Sequence, residues 1–391
     1  MSFFKKASAI LLAFLLICSC ATLSPLAKAV EPEALPPPSV SAQSAVLMLE
    51  NTGEILYQKD GSTPLPMAST TKIMTALVAL ELGDPAQTIT VSKEAAGVEG
   101  SSVYLTEGEK LSLEQLLYAL LLESANDAAV AIAVGLTGSV EAFAVQMNVK
   151  ADALGLVNTH FTNPHGLDDE AHYTTAAELA VITKAMLSHP LLREIVSTRK
   201  ITIPHGGTDG VRLLVNHNKL LRTYDGCIGV KTGYTKRSGR CLVSAAERDG
   251  VTLIAVTINA PDDWEDHARL LDYGFSKYRT VTLCDAEEYL FPLPVVGGTE
   301  GYVMIANMEE LRAVLPIQHG SIAVTVEVPR FAYADIQEGE CLGSVIFLCD
   351  VESNGKLQKI GEAELVACYS VEKKKVKKSL WQWLRSLFGF D

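Results

Sequence analysis

Hydrophobic and polar positions change rhythm several times along the chain. Ala45 to Glu50 and Glu54 to Lys59 flank Asn51-Thr52-Gly53, which predicts a strand, a turn and a strand. From Ser69 to about Leu82 the pattern is helical and stops at Gly83. Ser112 caps a Leu-rich helix reaching about Leu122, and Ala128 to Val134 is apolar on every side, as in a helix at a domain centre. Ser139 and Thr175 read as further N-caps, the latter with Glu178 three residues on as a capping box. After Lys200 the strand pattern returns. Cys241 to Ala246, the Asp249-Gly250 turn and Val251 to Ile258 predict a hairpin, and a last helix runs from about Trp264 to Phe275. Residues 43–278 therefore read as one α+β domain, an antiparallel sheet with a helical subdomain inserted between its strands.

The rest of the chain follows other patterns. Residues 279–370 carry short β-branched runs such as Ile322 to Val328 and Val345 to Leu348, which predicts a small all-β domain without a chemical constellation. In residues 371–391, five lysines from Lys373 to Lys378 precede a segment in which Leu380, Trp381, Leu384, Leu387 and Phe388 share one helical face. A basic run beside a Trp-rich amphipathic helix suits a membrane surface, and the segment is too short to span one. A helix packed on its own β domain is the alternative. At the other end, Lys5-Lys6, the apolar Ala7 to Ile17 and Ala27-Lys28-Ala29 make residues 1–29 a signal peptide, followed by a Pro-rich linker over residues 30–42. An uncleaved anchor, or lipid attachment at Cys20, would also export the chain. The expected location is the outer face of the cytoplasmic membrane.

Composition narrows the function. Hydrophobic residues at 48% and charged residues at 20% fit a packed globular protein. A net charge of -13 argues against nucleic acid as the main partner. Six cysteines lie beyond residue 29, scattered and without metal-ligand spacing, which argues against a zinc site. No metal or organic cofactor is implied by the sequence. Cys227 and Cys241 could pair in an oxidising compartment or stay as buried, inert thiols.

Three short motifs carry chemistry. Ser69-Thr70-Thr71-Lys72 puts an amine one turn from a hydroxyl at a helix start, where a lysine with a pKa lowered by burial can activate a serine. The S-x-x-K pattern occurs five times, so alone it says little. Ser124-Ala125-Asn126 is the only S-x-N and lies between two helices. Lys231-Thr232-Gly233 is the only K-T-G, beside the predicted hairpin, where it offers a cation, a hydroxyl and close backbone approach.

With these motifs in this order, the chain resembles the penicillin-binding serine D-Ala-D-Ala carboxypeptidases. Gly100-Ser101-Ser102, Ser124-Ala125-Asn126-Asp127-Ala128, Asn163-Pro164-His165-Gly166-Leu167, Tyr173-Thr174-Thr175-Ala176, Asn216-His217-Asn218 and Leu271-Asp272-Tyr273-Gly274-Phe275 also look like that family, most specifically within residues 45–275. The resemblance implies a β-lactamase/transpeptidase-like fold, then a small all-β domain and an amphipathic C-terminal helix. It implies that Ser69 attacks the penultimate D-alanine of a peptidoglycan stem peptide with Lys72 as base. Ser124 and Asn126 would relay protons and bind the peptide, Lys231 would set the electrostatics, and Thr232 beside Gly233 would take the terminal carboxylate. The N–H groups of Ser69 and Tyr234 would form the oxyanion hole. β-Lactams would acylate the same serine.

One position departs from the family. Many members carry an arginine just before the last helix, where this chain has Asp262-Asp263-Trp264, so Arg237 or Arg240 is the cation available instead. His165 with Asp168 or Asp169 offers a Ser/His/Asp alternative, which Lys72 makes unnecessary. Asn216 and Asn218 read as loop-fixing residues. A class A β-lactamase would need a carboxylate to position the deacylating water, and no E-x-x-L-N lies between Asn126 and Lys231. An endopeptidase acting on wall cross-links, or a catalytically weak wall-binding or β-lactam-sensing protein, stays open on the same fold.

Overall fold

The computed structural model describes residues 35–206, 209–351 and 354–375; the expected signal peptide and the Trp-rich part of the tail lie outside these. Five antiparallel strands form the main sheet, in the order β2 (Ile55–Lys59), β1 (Ser44–Leu49), β9 (Val251–Ile258), β8 (Gly239–Arg248) and β7 (Cys227–Thr235). Side chains alternate across a strand, and here both faces are covered. Val46 and Met48 join Ile254 and Val256 in one core, whereas Ala45, Leu47 and Leu49 join Leu253 and Ala255 in the other. Burial on both faces is why β1 reads as a continuous apolar run rather than an alternating one.

The first core is filled by helices inserted between β2 and β7: α1 (Lys72–Leu82), α2 (Leu113–Leu122), α3 (Asn126–Thr137), α4 (Val140–Ala153), α5 (Ala176–Leu187) and α6 (Pro190–Ser197). Small ribbons β3 (Thr88–Thr90) with β4 (Lys110–Ser112), and β5 (Lys200–Pro204) with β6 (Val211–Val215), trim this layer, and the short α7 (Leu220–Thr223) leads into β7. The second core is closed by α8 (Asp263–Phe275).

Local chemistry sets the ends of these elements. Ser112 forms a reciprocal capping box with Gln115. At Thr175 the box is one-sided. Thr175 Oγ1 accepts from Glu178 N at 3.1 Å, but the Glu178 carboxylate turns to the backbone N–H groups of Val157 and Asn158 and to the Thr159 hydroxyl. Those loop donors satisfy it better than its own N-cap could. The helix expected from Ser69 opens with a 3₁₀ turn, Ala68–Thr71, and becomes α-helical at Lys72. The last part of the expected linker is fixed as well: Ser41 donates to Asp266 through its N–H and its hydroxyl, at 2.9 and 2.7 Å, and Val40 and Ala42 are buried.

Beyond α8 a third core gathers Val303, Ile305, Val345, Phe347 and Leu365. It belongs to a six-stranded sheet ordered β14 (Ile322–Glu327), β16 (Cys341–Cys349), β17 (Gln358–Ala367), β12 (Tyr302–Ala306), β11 (Leu290–Val296) and β15 (Ala332–Tyr333). The ribbon of β10 (Tyr278–Cys284) and β13 (Leu311–Pro316) adjoins it. Cys227 and Cys241 sit near opposite ends of the β7–β8 hairpin, in register with Ala246 and Gly233. Both are free thiols, and burial pushes each up to about 11, which keeps them protonated and inert.

Candidate active site

The nucleophile candidate stands on a strained turn. Ala68 has φ +49°, a left-handed conformation costing roughly 1–2 kcal/mol in a residue with a Cβ. The neighbours enforce it. Thr71 Oγ1 donates to Ala68 O at 2.7 Å, and Thr70 Oγ1 donates to Met67 O at 2.6 Å. Gly166 (φ +86°) lies directly beneath, so close that a Cβ there would come within 2.0 Å of Ala68 O. His172 supports the turn from behind. Its Nδ1 accepts from Thr162 N at 3.1 Å, and burial lowers its pKa to about 4, so the ring is neutral and Nε2–H points at Thr71 Oγ1, 2.8 Å away. Strain of this kind, held by surrounding structure, aims the Ser69 side chain outward.

Lys72 is fully buried. Its Nζ lies 2.9 Å from Ser69 Oγ, 2.7 Å from Asn126 Oδ1 and 2.6 Å from His165 O. Asn126 Nδ2 donates to Glu99 O at 2.6 Å, which leaves its carbonyl oxygen to face the lysine. Burial holds the Lys72 pKa well below its ordinary value, and the Lys231 charge lowers it further against a smaller opposing effect of Asp127. A neutral amine has two N–H groups and one lone pair. The two carbonyl oxygens take the N–H groups, and the lone pair is left for the Ser69 hydroxyl proton.

The second and third motifs converge on the same point. Ser124, at φ +60°, sits in the bend between α2 and α3 and is buried. Lys231 is buried on β7, its Nζ donating to Thr232 O at 2.9 Å, and burial brings its pKa down to about 7 despite the Glu123 charge. Gly233 lets β7 close over the Ser69 turn: a Cβ there would sit 3.1 Å from both Ser69 N and Thr70 N. Ser69, Ser124, Thr232, Gly233 and Tyr234 border a groove of about 290 Å³. Lys72, Asn126 and Lys231 stand behind it, out of solvent. A buried lysine beside an outward serine, with a strand edge along the groove, is the equipment of acyl transfer through a serine ester.

A family profile described as D-alanyl-D-alanine carboxypeptidase matches residues 30–262. The chain belongs to this family. It is 33% identical over 321 residues to D-alanyl-D-alanine carboxypeptidase DacF of Bacillus subtilis, covering 80% of this chain and 82% of that one. It is 29% identical to DacC of Escherichia coli over 379 residues, 90% of this chain and 89% of the relative. The crystal structure of penicillin binding protein 5 from Haemophilus influenzae superposes with a TM-score of 0.62 at 28% identity, covering 87% of this chain and all of that one. The Streptomyces K15 DD-transpeptidase gives 0.59 at 33% identity over 62% of this chain.

Within this carboxypeptidase frame the remaining polar residues sort by geometry. The His165 ring accepts from Leu167 N through Nδ1 at 3.2 Å, Asp168 receives the Thr235 hydroxyl at 2.9 Å, and Asp169 receives Ala171 N at 2.7 Å. These bonds leave no Ser/His/Asp relay. Asn216 donates to Val196 O and accepts from Asn218 N, so both asparagines do fix loops. Of the two candidate cations, Arg240 lines the groove, with Nη2 2.8 Å from Asp263 Oδ1 and the Trp264 ring beside it. Arg237 is exposed outside the groove.

Three contributors have roles that only the structure assigns. Asp127 accepts from the Ser102 hydroxyl and from Leu105 N, and so holds the wall that carries Ser101. His217 lines the groove, and its Nε2 lies 3.1 Å from Glu123 Oε2, next to Ser124. Asn216-His217-Asn218 was a signal without an assigned geometry, whereas nothing in the sequence marked Glu123 as its partner.

Proposed function

We propose that this chain is a serine D-Ala-D-Ala carboxypeptidase acting on peptidoglycan stem peptides through an acyl-enzyme on Ser69. The observation that carries the reading is the Lys72 amine, buried and held between two carbonyl oxygens with Ser69 Oγ at 2.9 Å. The peptide would lie along the β7 edge as an added strand, which suits an extended substrate and needs little side-chain recognition. Lys72 takes the Ser69 proton as Oγ attacks the penultimate D-alanine carbonyl, and the N–H groups of Ser69 and Tyr234 receive the oxyanion. As the C–N bond breaks, the proton held by Lys72 passes by way of Ser124 to the leaving D-alanine nitrogen, and the charge of Lys231 sets the electrostatics of the step. Asn126 holds Lys72 in place, and Thr232 and Arg240 hold the terminal carboxylate. Water then releases the shortened peptide, and a β-lactam acylates the same serine. Release of free D-alanine from a pentapeptide ending in D-Ala-D-Ala tests the reading; a wild-type chain that releases none, while cutting a cross-linked dimer, would make it an endopeptidase.

Two results follow. Arg240→Ala should raise KM for the pentapeptide by roughly ten- to a hundredfold with little change in kcat, the worth of one charge-assisted contact. Unchanged KM would remove Arg240 from the carboxylate site. The pH profile of kcat/KM should be bell-shaped. It rises as Lys72 loses its proton, below the ordinary lysine range, and falls as Lys231 loses its charge near 7. Bound carboxylate favours the charged form of Lys231, so the falling limb of kcat should lie at higher pH than that of kcat/KM. Coincident limbs would argue against charge coupling between Lys231 and the substrate carboxylate.

The reading extends to an exported enzyme held at the outer face of the cytoplasmic membrane. It is supported by the signal-peptide pattern of residues 1–29 and by the basic, Trp-rich tail in residues 371–391.

A further inference from the structure

One edge of the β domain carries an apolar face that no described residue covers. Along β11, Leu290, Pro294 and Val296 are exposed while Leu293 and Val295 point into the core. Pro294 pairs with Tyr302 on β12 and Val296 with Tyr333 on β15, and paired residues share a face of a sheet. Tyr302 is 52% exposed and Tyr333 69% exposed. Phe331 stands edge-on against Tyr333 with ring centroids 5.3 Å apart and is itself 45% exposed. Between Leu290 and Val296 there is no charged side chain.

The rim of this face is where the chain runs toward its tail. Lys373 pairs with Gly298, and Lys374 N donates to Gly297 O at 2.7 Å, immediately after Val296. Lys373, Lys374 and Lys375 are exposed, Arg330 adjoins Phe331, and Lys377 and Lys378 follow in the sequence. Glu300, Asp335 and Glu372 are also there, and the cations outnumber them. A face of aliphatic and aromatic side chains, bordered by lysines that precede a Trp-rich sequence, has the chemistry of a membrane interface. Its rings suit headgroup depth and its cations suit anionic lipid.

We propose that this face is a second, folded contact with an anionic bilayer, beside the tail. It rests on the tail reading only for bringing the chain to the membrane. Hydrogen exchange of the full chain, with and without vesicles of phosphatidylglycerol and phosphatidylethanolamine, tests it. Slowed exchange in residues 294–302 and 328–335 is expected on vesicle binding, together with slowing in the tail. Slowing confined to the tail would overturn the proposal and leave the tail reading standing. Slowing of the face alone would keep the proposal and remove the tail reading. No slowing would overturn both, and slowing without vesicles that grows with protein concentration would assign the face to a second copy of the chain. A Phe331→Ser/Tyr333→Ser chain should lose about tenfold or more in vesicle affinity, with D-alanine release from a soluble pentapeptide unchanged; equal affinity would overturn the proposal.

Discussion

A Lys72→Met chain is expected to acylate Ser69 about two to four orders of magnitude more slowly than the wild type, the worth of a positioned general base. Methionine is close in size and keeps the helix, so the loss reports the amine rather than the fold. The geometry makes the prediction specific. Asn126 Oδ1 and His165 O engage the two N–H groups of a neutral Lys72, and only the lone pair remains for Ser69. Lys72→Arg should therefore fail to rescue, because a guanidinium offers donors and no base. A residue that works as one unit with its nucleophile also loses additivity. Ser69→Ala should abolish covalent penicillin labelling outright, and adding Lys72→Met to it should lower D-alanine release no further. Retention of a tenth or more of the wild-type acylation rate in Lys72→Met would assign the base elsewhere.

The second large effect lies outside the groove. Gly166→Ala is expected to cost about 2–5 kcal/mol, of which 1–2 is left-handed backbone strain and 1–3 is overpacking. At φ +86° the new Cβ would come within 2.0 Å of Ala68 O, and relieving that overlap moves the turn that carries Ser69. Acylation should drop along with the melting temperature. Gly155→Ala is the comparison, because Gly155 is also left-handed, at φ +74°, but a Cβ there meets nothing within 4 Å. It should show the strain cost alone and keep full acylation. Equal behaviour of the two variants would separate Gly166 from the Ser69 turn.

Much of this site could be read from the chain because it depends on local spacing. Ser69 and Lys72 meet since they are one turn apart, and Lys231-Thr232-Gly233 reaches the groove since the hairpin that follows fixes β7 at the sheet edge. The double burial of β1 is implicit in its continuous apolar run from Ala45 to Leu49. What the sequence hid depends on long-range packing. The left-handed conformations of Ala68 and Ser124 are imposed by Gly166 and by the junction of α2 with α3, and neither residue type announces them. Glu123 meets His217 only after the β5–β6 ribbon has returned the chain to the groove. Arg240 becomes the groove cation because antiparallel register sets it opposite Tyr234, a relation that needs the sheet rather than the motif. Glu178 leaves the expected capping box for the same reason, since its better donors lie about twenty residues upstream.

The most direct test of Ser69 as the nucleophile of a D-Ala-D-Ala carboxypeptidase follows the mass of a stem pentapeptide ending in D-Ala-D-Ala. The chain is used with and without prior benzylpenicillin, and the penicillin adduct is mapped by peptide mass. Loss of one alanine by the untreated chain, its abolition by penicillin, and an adduct on the peptide containing Ser69 are the predicted result. Continued alanine release by chain fully acylated at Ser69, or an adduct on another serine, would contradict it.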